Sequence, residues 1–403
     1  MKIVINGAGV AGPMLAYWLR KSNHDVLLVE QAPVLRTGGY IIDFWGSGYD
    51  LAEKMGILPR VLELGYLVKE VRFVNSHGRK VGGFPADVFG AAVGGRYTSV
   101  RRTDIAATIY GALDSAVETM YGDSIAGLQE TSDGVHVTFD RAAPRDVDLV
   151  VGADGLHSRV RELAFGHQTA FEHSLGYHVA AFEVDGYRCR DELTYVAHAV
   201  PGRAISRFSM RDDKTLILCV FQDKYMNGGR TSTLDERKAM ISSIFSNLGW
   251  ESRQILAAMD DVSDVYFDGV TQIRMDHWSR GRTALVGDAA ACVSLLAGEG
   301  TGLAMAEAYV LAGELCACGG PGDYAAAFAR YEARMKPFIE GKQGSAAKFA
   351  SSFAPTTALG IAFRNAVTRL FAIRPVAEFF VGRELRDDFV LPDFWHERSL
   401  ERS

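Results

Sequence analysis

Gly7, Gly9 and Gly12 stand in the spacing G-x-G-x-x-G, directly after the apolar run Lys2-Ile3-Val4-Ile5-Asn6. The chemistry open to such a turn is the binding of phosphates. Gly7 permits a tight turn, Gly9 lets the backbone approach a pyrophosphate, and Gly12 lets a helix pack closely on a strand. Met14, Leu15, Trp18 and Leu19 then mark one face of a helix running to about Lys21. The N-terminus of that helix offers free N–H groups and partial positive charge to an anion. Val26 to Val29 read as a second buried strand, and Glu30 closes it. An acid about twenty residues past the glycine turn can accept hydrogen bonds from ribose hydroxyls. A complete strand, glycine turn, helix, strand and acid together point to a bound dinucleotide. The acid disfavours NADP here, because a 2′-phosphate would be repelled.

Two further strand ends carry acids. Asp148-Leu149-Val150-Val151-Gly152-Ala153-Asp154-Gly155 is a buried strand running into a turn, followed by a basic helix start. Thr283-Ala284-Leu285-Val286-Gly287-Asp288 is another, and Gly298-Glu299-Gly300-Thr301-Gly302 then opens a long helix. Three such strands suit one side of an open α/β sheet, where ligands bind beyond the carboxyl ends. Asp154 and Asp288 are therefore candidates for hydroxyl groups of a cofactor. Taken singly, each reads rather as a turn or N-cap aspartate; taken with the first motif, the cofactor role is preferred.

The elements that must position these residues belong to an ordinary globular chain. It has 403 residues, 48% hydrophobic and 23% charged, which suits two domains or one α/β unit with an insertion. Lys plus Arg number 43 against 49 Asp plus Glu, a net charge of −6. That balance excludes a generally basic nucleic-acid binder and argues against attraction to anionic membranes. The 5 cysteines form no zinc spacing and read as buried free thiols. The expectations are no metal, no signal peptide, no membrane span and a cytoplasmic location. No Gly-x-Ser-x-Gly elbow and no nucleophile pattern of His beside Ser or Cys occurs.

The motifs GAGVAG, GADGLHSRVR and GDAA…GEGTG, in this order, carry a resemblance. The chain resembles the single-component FAD-dependent aromatic monooxygenases, the group that includes para-hydroxybenzoate hydroxylase. The stretch 38–48 resembles the tetracycline-inactivating members more closely, as does Arg102-Thr103-Asp104-Ile105, whose arginine contacts the flavin there. The resemblance implies that Gly7, Gly9 and Gly12 hold the pyrophosphate and Glu30 the adenosine ribose. Arg102 would lie near the pyrophosphate or ribityl chain, and Asp288 on the ribityl chain. Asp154 lies in a motif the family associates with both FAD and NAD(P)H. Gly298, Gly300, Thr301 and Gly302 would approach the isoalloxazine ring, where a helix N-terminus favours negative charge. With a single dinucleotide fingerprint, NAD(P)H would bind transiently. O2 would add at the flavin C4a position, and the hydroperoxide would hydroxylate an aromatic or polycyclic, polyketide-like substrate. No obligatory catalytic side chain is implied.

The chain also departs from that pattern. Leu295 stands where a proline is usual, Ala291 where a histidine is common, and Glu299 where the tetracycline group often has glutamine. These changes leave two other readings open: a flavin reductase or dehydrogenase without oxygen insertion, and a ligand-sequestering flavoprotein. A halogenase Trp-x-Trp-x-Ile-Pro motif does not occur.

Between 171 and 223, short strands separated by turns suggest an inserted, largely antiparallel sheet, with helices over 235–248 and 252–259. The resemblance makes it the cover of the flavin and a wall of the substrate pocket, on a face carrying Phe182, Phe208 and Phe221. Arg207 reads as exposed by strand alternation, or as a partner for an acidic or phenolate substrate. After 321 the chain reads as helical over 324–335. A second helix carries the apolar stripe Leu359, Ala362, Phe363, Ala366, Val367 and Leu370, with Arg364 and Arg369 opposite and an end at Pro375. The plain expectation is that this stripe packs on the protein body; membrane-surface binding is the alternative. The whole predicts an α/β fold: a Rossmann-like FAD-binding unit over 1–70, 98–165 and 271–325, a substrate unit over 71–97 and 166–270, and a helical segment over 326–403.

Overall fold

The computed structural model describes residues 1–35, 40–229, 231–318, 322–371 and 389–395. Lys2–Asn6 lies inside a six-stranded sheet, between Asp25–Glu30 and Leu149–Gly152, and is parallel to both. Glu118–Tyr121 extends the sheet beyond Asp25–Glu30; Thr283–Leu285 and Ser279–Arg280 extend it beyond Leu149–Gly152. Ile3, Val4, Ile5, Leu28, Leu149, Val150 and Val151 are all buried, as expected of parallel strands covered on both faces. The chain leaves Lys2–Asn6 for one neighbour and later returns to its other side. The carboxyl end of this strand is thus a topological switch point, where a crevice opens.

Helix Ala11–Lys21 buries Met14, Leu15, Trp18 and Leu19. The helix Gly300–Cys316 is buried on nearly every side, and its Tyr309 ring lies 5.0 Å from Trp18. Tyr324–Phe353 is one helix of 30 residues that runs through Pro337, well beyond the expected end at Met335. Phe328, Tyr331, Met335 and Ile339 are all buried, so the apolar stripe continues across the proline. Packing along that face offsets the hydrogen bond the proline removes.

A second, seven-stranded sheet has the order Tyr266–Ile273, Glu172–Asp185, Lys214–Gln222, Arg203–Ser209, Thr194–Val200, Glu70–Val74, Lys80–Pro85. All its pairs are antiparallel except Thr194–Val200 with Glu70–Val74. The mixed, largely antiparallel insertion and the C-terminal helices agree with the expected fold class. The described residues also form a three-stranded sheet (Ile125–Glu130, Val135–Phe139, Arg145–Val147) and a two-stranded one (Ile41–Phe44, Thr98–Arg101).

The register of the large sheet divides the three expected pocket aromatics. Phe182 pairs with Ile217 and His178 with Phe221, and this face is covered by helices Leu234–Phe245 and Ser252–Met259. Phe208 pairs with Leu216 on the opposite face, with Tyr66 and Met210. Phe182 and Phe221 are therefore core residues of the outer layer; alternation along a strand fixes which residues share a face, not which face meets the ligand.

Arg207 is corrected in the same way. It is only 4% exposed and lies on the helix-covered face. Its Nε donates to Glu251 Oε2 at 2.7 Å and its Nη2 to Asp191 Oδ2 at 2.8 Å. Arg207→Ala would leave Glu251 without its cation and Asp191 with Arg72 alone. We expect a stability loss of about 2–4 kcal/mol, read by denaturant titration, with FAD affinity unchanged.

The outer helix Ala358–Leu370 reverses the expected packing. Its polar residues face inward: Thr368 Oγ1 accepts from Gly83 N–H at 3.2 Å, and the Arg364 guanidinium lies 4.0 Å from the Phe73 ring centre. Asn365 sits directly over Gly82, where a Cβ would fall 2.9 Å from its Cα. Leu359 and Phe363 are 84% and 72% exposed. The edge strand Lys80–Pro85 presents main-chain donors and a groove of glycines, which suit small and polar partners better than leucine. Pro375 lies outside the described residues.

Candidate active site

Each glycine of the first turn has its own spatial reason. Gly7 has φ +110°, and a Cβ there would fall 2.4 Å from the Ala153 carbonyl oxygen. A Cβ on Gly12 would come within 1.9 Å of the Gly7 carbonyl oxygen. A Cβ on Gly9 would meet only Arg102 Nη2, at 3.9 Å. Gly9 thus faces open space with a cation across it, beside the N–H groups that the start of Ala11–Lys21 leaves without helical partners. Glu30 is fixed at the rim of this space. Its Oε2 accepts from Ala8 N–H and its Oε1 from Ala32 N–H, both at 2.8 Å.

Arg102 is delivered by the two-stranded sheet. Thr98–Arg101 pairs with Ile41–Phe44, and the helix Arg102–Gly111 starts at once. The guanidinium hydrogen-bonds the Tyr40 side chain and interacts with Asp288; these neighbours hold its pKa above the ordinary value despite burial. Burial pushes the Tyr40 phenol up, opposed by Arg102. The Tyr40 and Tyr266 rings stand 5.8 Å apart. Gly38 and Gly39, just before Tyr40, lie outside the described residues.

Asp288 opens the short helix Asp288–Ala291 after Gly287, whose φ of 63° and ψ of −145° favour glycine. Gly287 N–H donates to Glu307 Oε2 at 2.7 Å, and Tyr331 Oη donates to the same oxygen at 3.2 Å. Glu307 is 1% exposed, and burial pushes its carboxyl pKa up to about 8. Sequence reading missed it, although a lone acid inside the apolar run Leu303-Ala304-Met305-Ala306-Glu307-Ala308 is a visible signal.

A Cβ on Gly300 would lie 3.8 Å from Asp288 Oδ1, so this aspartate and the glycine-rich helix start are neighbours. Gly298 has φ +72°, and Thr301 is buried. Gly302 lies against Gly48, whose nitrogen and Cα are 3.6 Å from a Cβ built at Gly302. Leu295, on the turn Leu295–Ala297, is half-buried beside Tyr177, Val179 and Leu296. A small, partly open pocket at this helix start is lined by Asp43, Phe44, Trp45, Ser47, Glu299, Gly302, Leu303 and Lys342. Asp43 Oδ1 accepts from Tyr97 Oη and from Ser99 Oγ at 2.7 Å, and burial raises its carboxyl pKa.

Asp154 takes the turn and helix-start role that its sequence context also allowed. It accepts from Asn6 Nδ2 at 2.9 Å, Arg159 N–H at 2.8 Å, Val160 N–H at 3.1 Å and Ser158 Oγ. Four donors commit it to the start of helix Arg159–Phe165 and to the end of the first strand. Arg161, fully buried, then donates to Ala289 O at 2.9 Å. Asp154 ties the Asp-Gly turn to the first strand, and Arg161 ties the following helix to the Gly-Asp segment. The contacts with Asn6 and Ala289 were not read from sequence, since both partners are remote along the chain.

The residues present fit FAD. Gly9 and the Ala11–Lys21 N-terminus leave a cradle that a Cβ would narrow, with Arg102 opposite for a pyrophosphate. In that arrangement Glu30 and Asp288 would accept from sugar and ribityl hydroxyls, and the glycines between 298 and 302 would let a ring system approach the backbone.

Residues 1–341 match a family model described as an FAD binding domain. The chain belongs to this FAD-binding family. It is 39% identical over 348 residues to an uncharacterized protein of Mycobacterium tuberculosis (strain ATCC 25618 / H37Rv), covering 85% of this chain and 91% of that one. It is 32% identical over 343 residues to a flavin-dependent monooxygenase of an unknown prokaryotic organism, covering 85% and 87%. Among solved structures, tetracycline destructase Tet(55) superposes with a TM-score of 0.82 at 30% identity, covering 97% of this chain and 98% of that one. The fold is shared with Klebsiella pneumoniae HpxO complexed with FAD and uric acid, at a TM-score of 0.77 and 20% identity, over 96% and 97%. This family member is an FAD-dependent oxidoreductase of the monooxygenase type. No helix among the described residues is long and apolar enough to cross a membrane.

Proposed function

We propose that the protein hydroxylates an aromatic or polyketide-like small molecule, with NAD(P)H as transient reductant and O2 as oxidant, in the cytoplasm. The observation that carries this reading is the convergence of Gly9, Arg102, Asp288 and the Gly298–Gly302 backbone at one sheet end, facing a second sheet. When bound, FAD supplies the electron transfer and the oxygen chemistry. The chain binds, orients and shields. Gly7, Gly9 and Gly12 admit the pyrophosphate, Glu30 the ribose, and Arg102 offsets phosphate charge. Asp288 holds ribityl hydroxyls. Asp154 contributes through the turn it braces. The start of helix Gly300–Cys316 favours negative charge on the reduced ring.

The substrate would lie between that helix start and the inward face of the large sheet, where Phe208, Leu216 and Leu295 exclude water. Tyr195 and Ser206 bring hydroxyls to the same face, 2.6 Å apart. A planar, polar-edged substrate suits such a wall, as the uric acid bound to HpxO and the tetracycline in the name of Tet(55) illustrate for those proteins. Leu295, in place of the usual proline, favours a reductase or dehydrogenase as the second reading.

The test is rapid mixing of anaerobically photoreduced protein with O2, followed by flavin absorbance. A transient distinct from reduced and oxidised flavin, together with substrate-dependent oxygen insertion in a panel of aromatic compounds, is the expected result. Direct reoxidation throughout, with reductase activity and no oxygenated product, favours the second reading.

A further inference from the structure

Helix Ala358–Leu370 lies on the inward face of the large sheet. Phe73 pairs with Ala197 and Val71 with Tyr195, and Tyr195 and Ala197 pair in turn with Phe208 and Ser206. Alternation puts these side chains on one face. The helix meets that face through Asn365, over Gly82, and through Arg364, over the Phe73 ring. Phe73, Tyr195 and Leu218 stay half-buried here, whereas Ile205, Ile217 and Cys219 on the opposite face are fully buried. The opposite face is filled by helices, and the inward face is left incompletely covered.

Arg364 is a half-buried cation with no carboxylate partner among the described residues. Its hydrogen bonds go to neutral oxygens. Nη1 donates to Phe353 O at 3.2 Å and Ser352 O at 3.3 Å, and Nη2 and Nε donate to Asn365 Oδ1 at 3.1 and 3.3 Å. Burial lowers its pKa to about 10, opposed only by the Tyr195 phenol, so the guanidinium stays charged at neutral pH. Arg207 and Arg161, also buried, are answered by acids: the first by Glu251 and Asp191, the second by the nearby Asp154, Glu172 and Asp288. Phe353 packs in the cluster that holds Leu295 and Val179, so Arg364 borders both that cluster and Tyr195. Tyr195 Oη lies 2.6 Å from Ser206 Oγ, which itself donates to Leu218 O at 3.1 Å. The phenol proton is thereby committed to Ser206, which leaves the guanidinium as the donor for an anion.

We propose that Arg364 recognises an acidic oxygen of the substrate: the molecule bound between helix Gly300–Cys316 and the large sheet carries a carboxylate, or an ionised enol or phenol, seated on this guanidinium beside Tyr195. An anion there supplies the opposite charge that the fold withholds, through a charge-assisted hydrogen bond. Holding the carbonyls of Ser352 and Phe353 at the end of helix Tyr324–Phe353 occupies Nη1 alone. A neutral donor would serve that end with less to desolvate. The acids on the same side have partners of their own: Asp43 has Tyr97 and Ser99, Glu183 has Arg101 and Lys214, and Asp268 has His157. The assignment narrows the aromatic or polyketide-like class to its acidic members, and it rests on the substrate position of the reading above.

The test compares ligands of one shape and two charges. Salicylate, a hydroxynaphthoate and an anthraquinone carboxylate, each beside its own carboxamide, are titrated into the FAD-loaded protein, and binding is read from the flavin difference spectrum. In wild type the acids that bind are expected to do so about tenfold more tightly than their amides. Arg364→Gln removes that preference by weakening the acids while leaving the amides unchanged. Arg364→Lys keeps the charge, loses the planar fork and retains part of the preference. Equal affinities for acid and amide in wild type, no binding of any acid, or equal weakening of both classes by Arg364→Gln overturns the inference. The wild-type comparison and Arg364→Lys carry the test if Arg364→Gln does not fold. Turnover is scored separately. An Arg364-dependent preference for acids with no oxygenated product upholds the inference and moves the reaction to the reductase reading. Oxygen insertion into amides as readily as into acids upholds the reaction and overturns the inference.

Discussion

Arg102→Ala is expected to weaken FAD binding by about 10- to 100-fold, the loss that accompanies removal of a charge-assisted contact worth roughly 1.5–3 kcal/mol. Arg102 stands across the open space from Gly9, and its charge also meets Asp288, so one side chain bridges both halves of the expected cofactor path. Its hydrogen bond to Tyr40 keeps the guanidinium in place before any ligand arrives. Arg102→Lys keeps the charge but loses the planar fork, and should fall between alanine and wild type. Dissociation constants from quenching of flavin fluorescence give the comparison. Wild-type affinity in Arg102→Ala would remove this residue from the site.

Glu307 gives the second large effect, and here the readout is pH. Burial places its folded-state pKa at about 8, above the ordinary 4.5. Between these values the folded protein keeps a proton that the unfolded chain releases. Stability from this group is therefore full below about pH 4.5 and is lost as pH rises through about 8. The slope approaches roughly 1.4 kcal/mol per pH unit inside that window. Glu307→Gln keeps an acceptor for Gly287 N–H but cannot titrate, so denaturant midpoints at pH 6 and pH 8 should differ less than in wild type. Glu307→Leu strands the Gly287 N–H and should cost about 1–3 kcal/mol at either pH. Because that N–H holds the turn preceding Asp288, the leucine variant should also retain less FAD. A wild-type pH profile unchanged by Glu307→Gln would show that this carboxyl does not titrate in the window.

The parts of this architecture that were legible are those encoded locally. The glycine turn, its helix and Glu30 occupy thirty consecutive residues, and each residue type has one steric or hydrogen-bonding reason to be there. The strands of the inserted sheet were legible from alternation and turn residues. Their faces were not, because parity is decided by what packs above and below: Phe182 went to the helix layer and Phe208 to the inward side. Arg207 looked like a surface or ligand group because Asp191 and Glu251, which neutralise it, lie far off in sequence. The outer helix defeated the rule that apolar stripes face inward. That rule assumes an apolar surface to receive the stripe, whereas Gly82 and Gly83 offered a close backbone instead.

The order of strands in the six-stranded sheet bears on how the protein is made. Lys2–Asn6 needs Leu149–Gly152 as a neighbour, and that strand in turn needs Thr283–Leu285. The large sheet likewise joins Glu70–Val74 to Thr194–Val200. At roughly 5–20 residues per second, synthesis takes on the order of fifteen seconds to a minute to reach the last strand that flanks Leu149–Gly152. Through that interval the glycine turn exists in the nascent chain without the walls that shape it. Completion of the cofactor site is thus a late event in biosynthesis, and until then the early strands have only each other as neighbours and one apolar edge open.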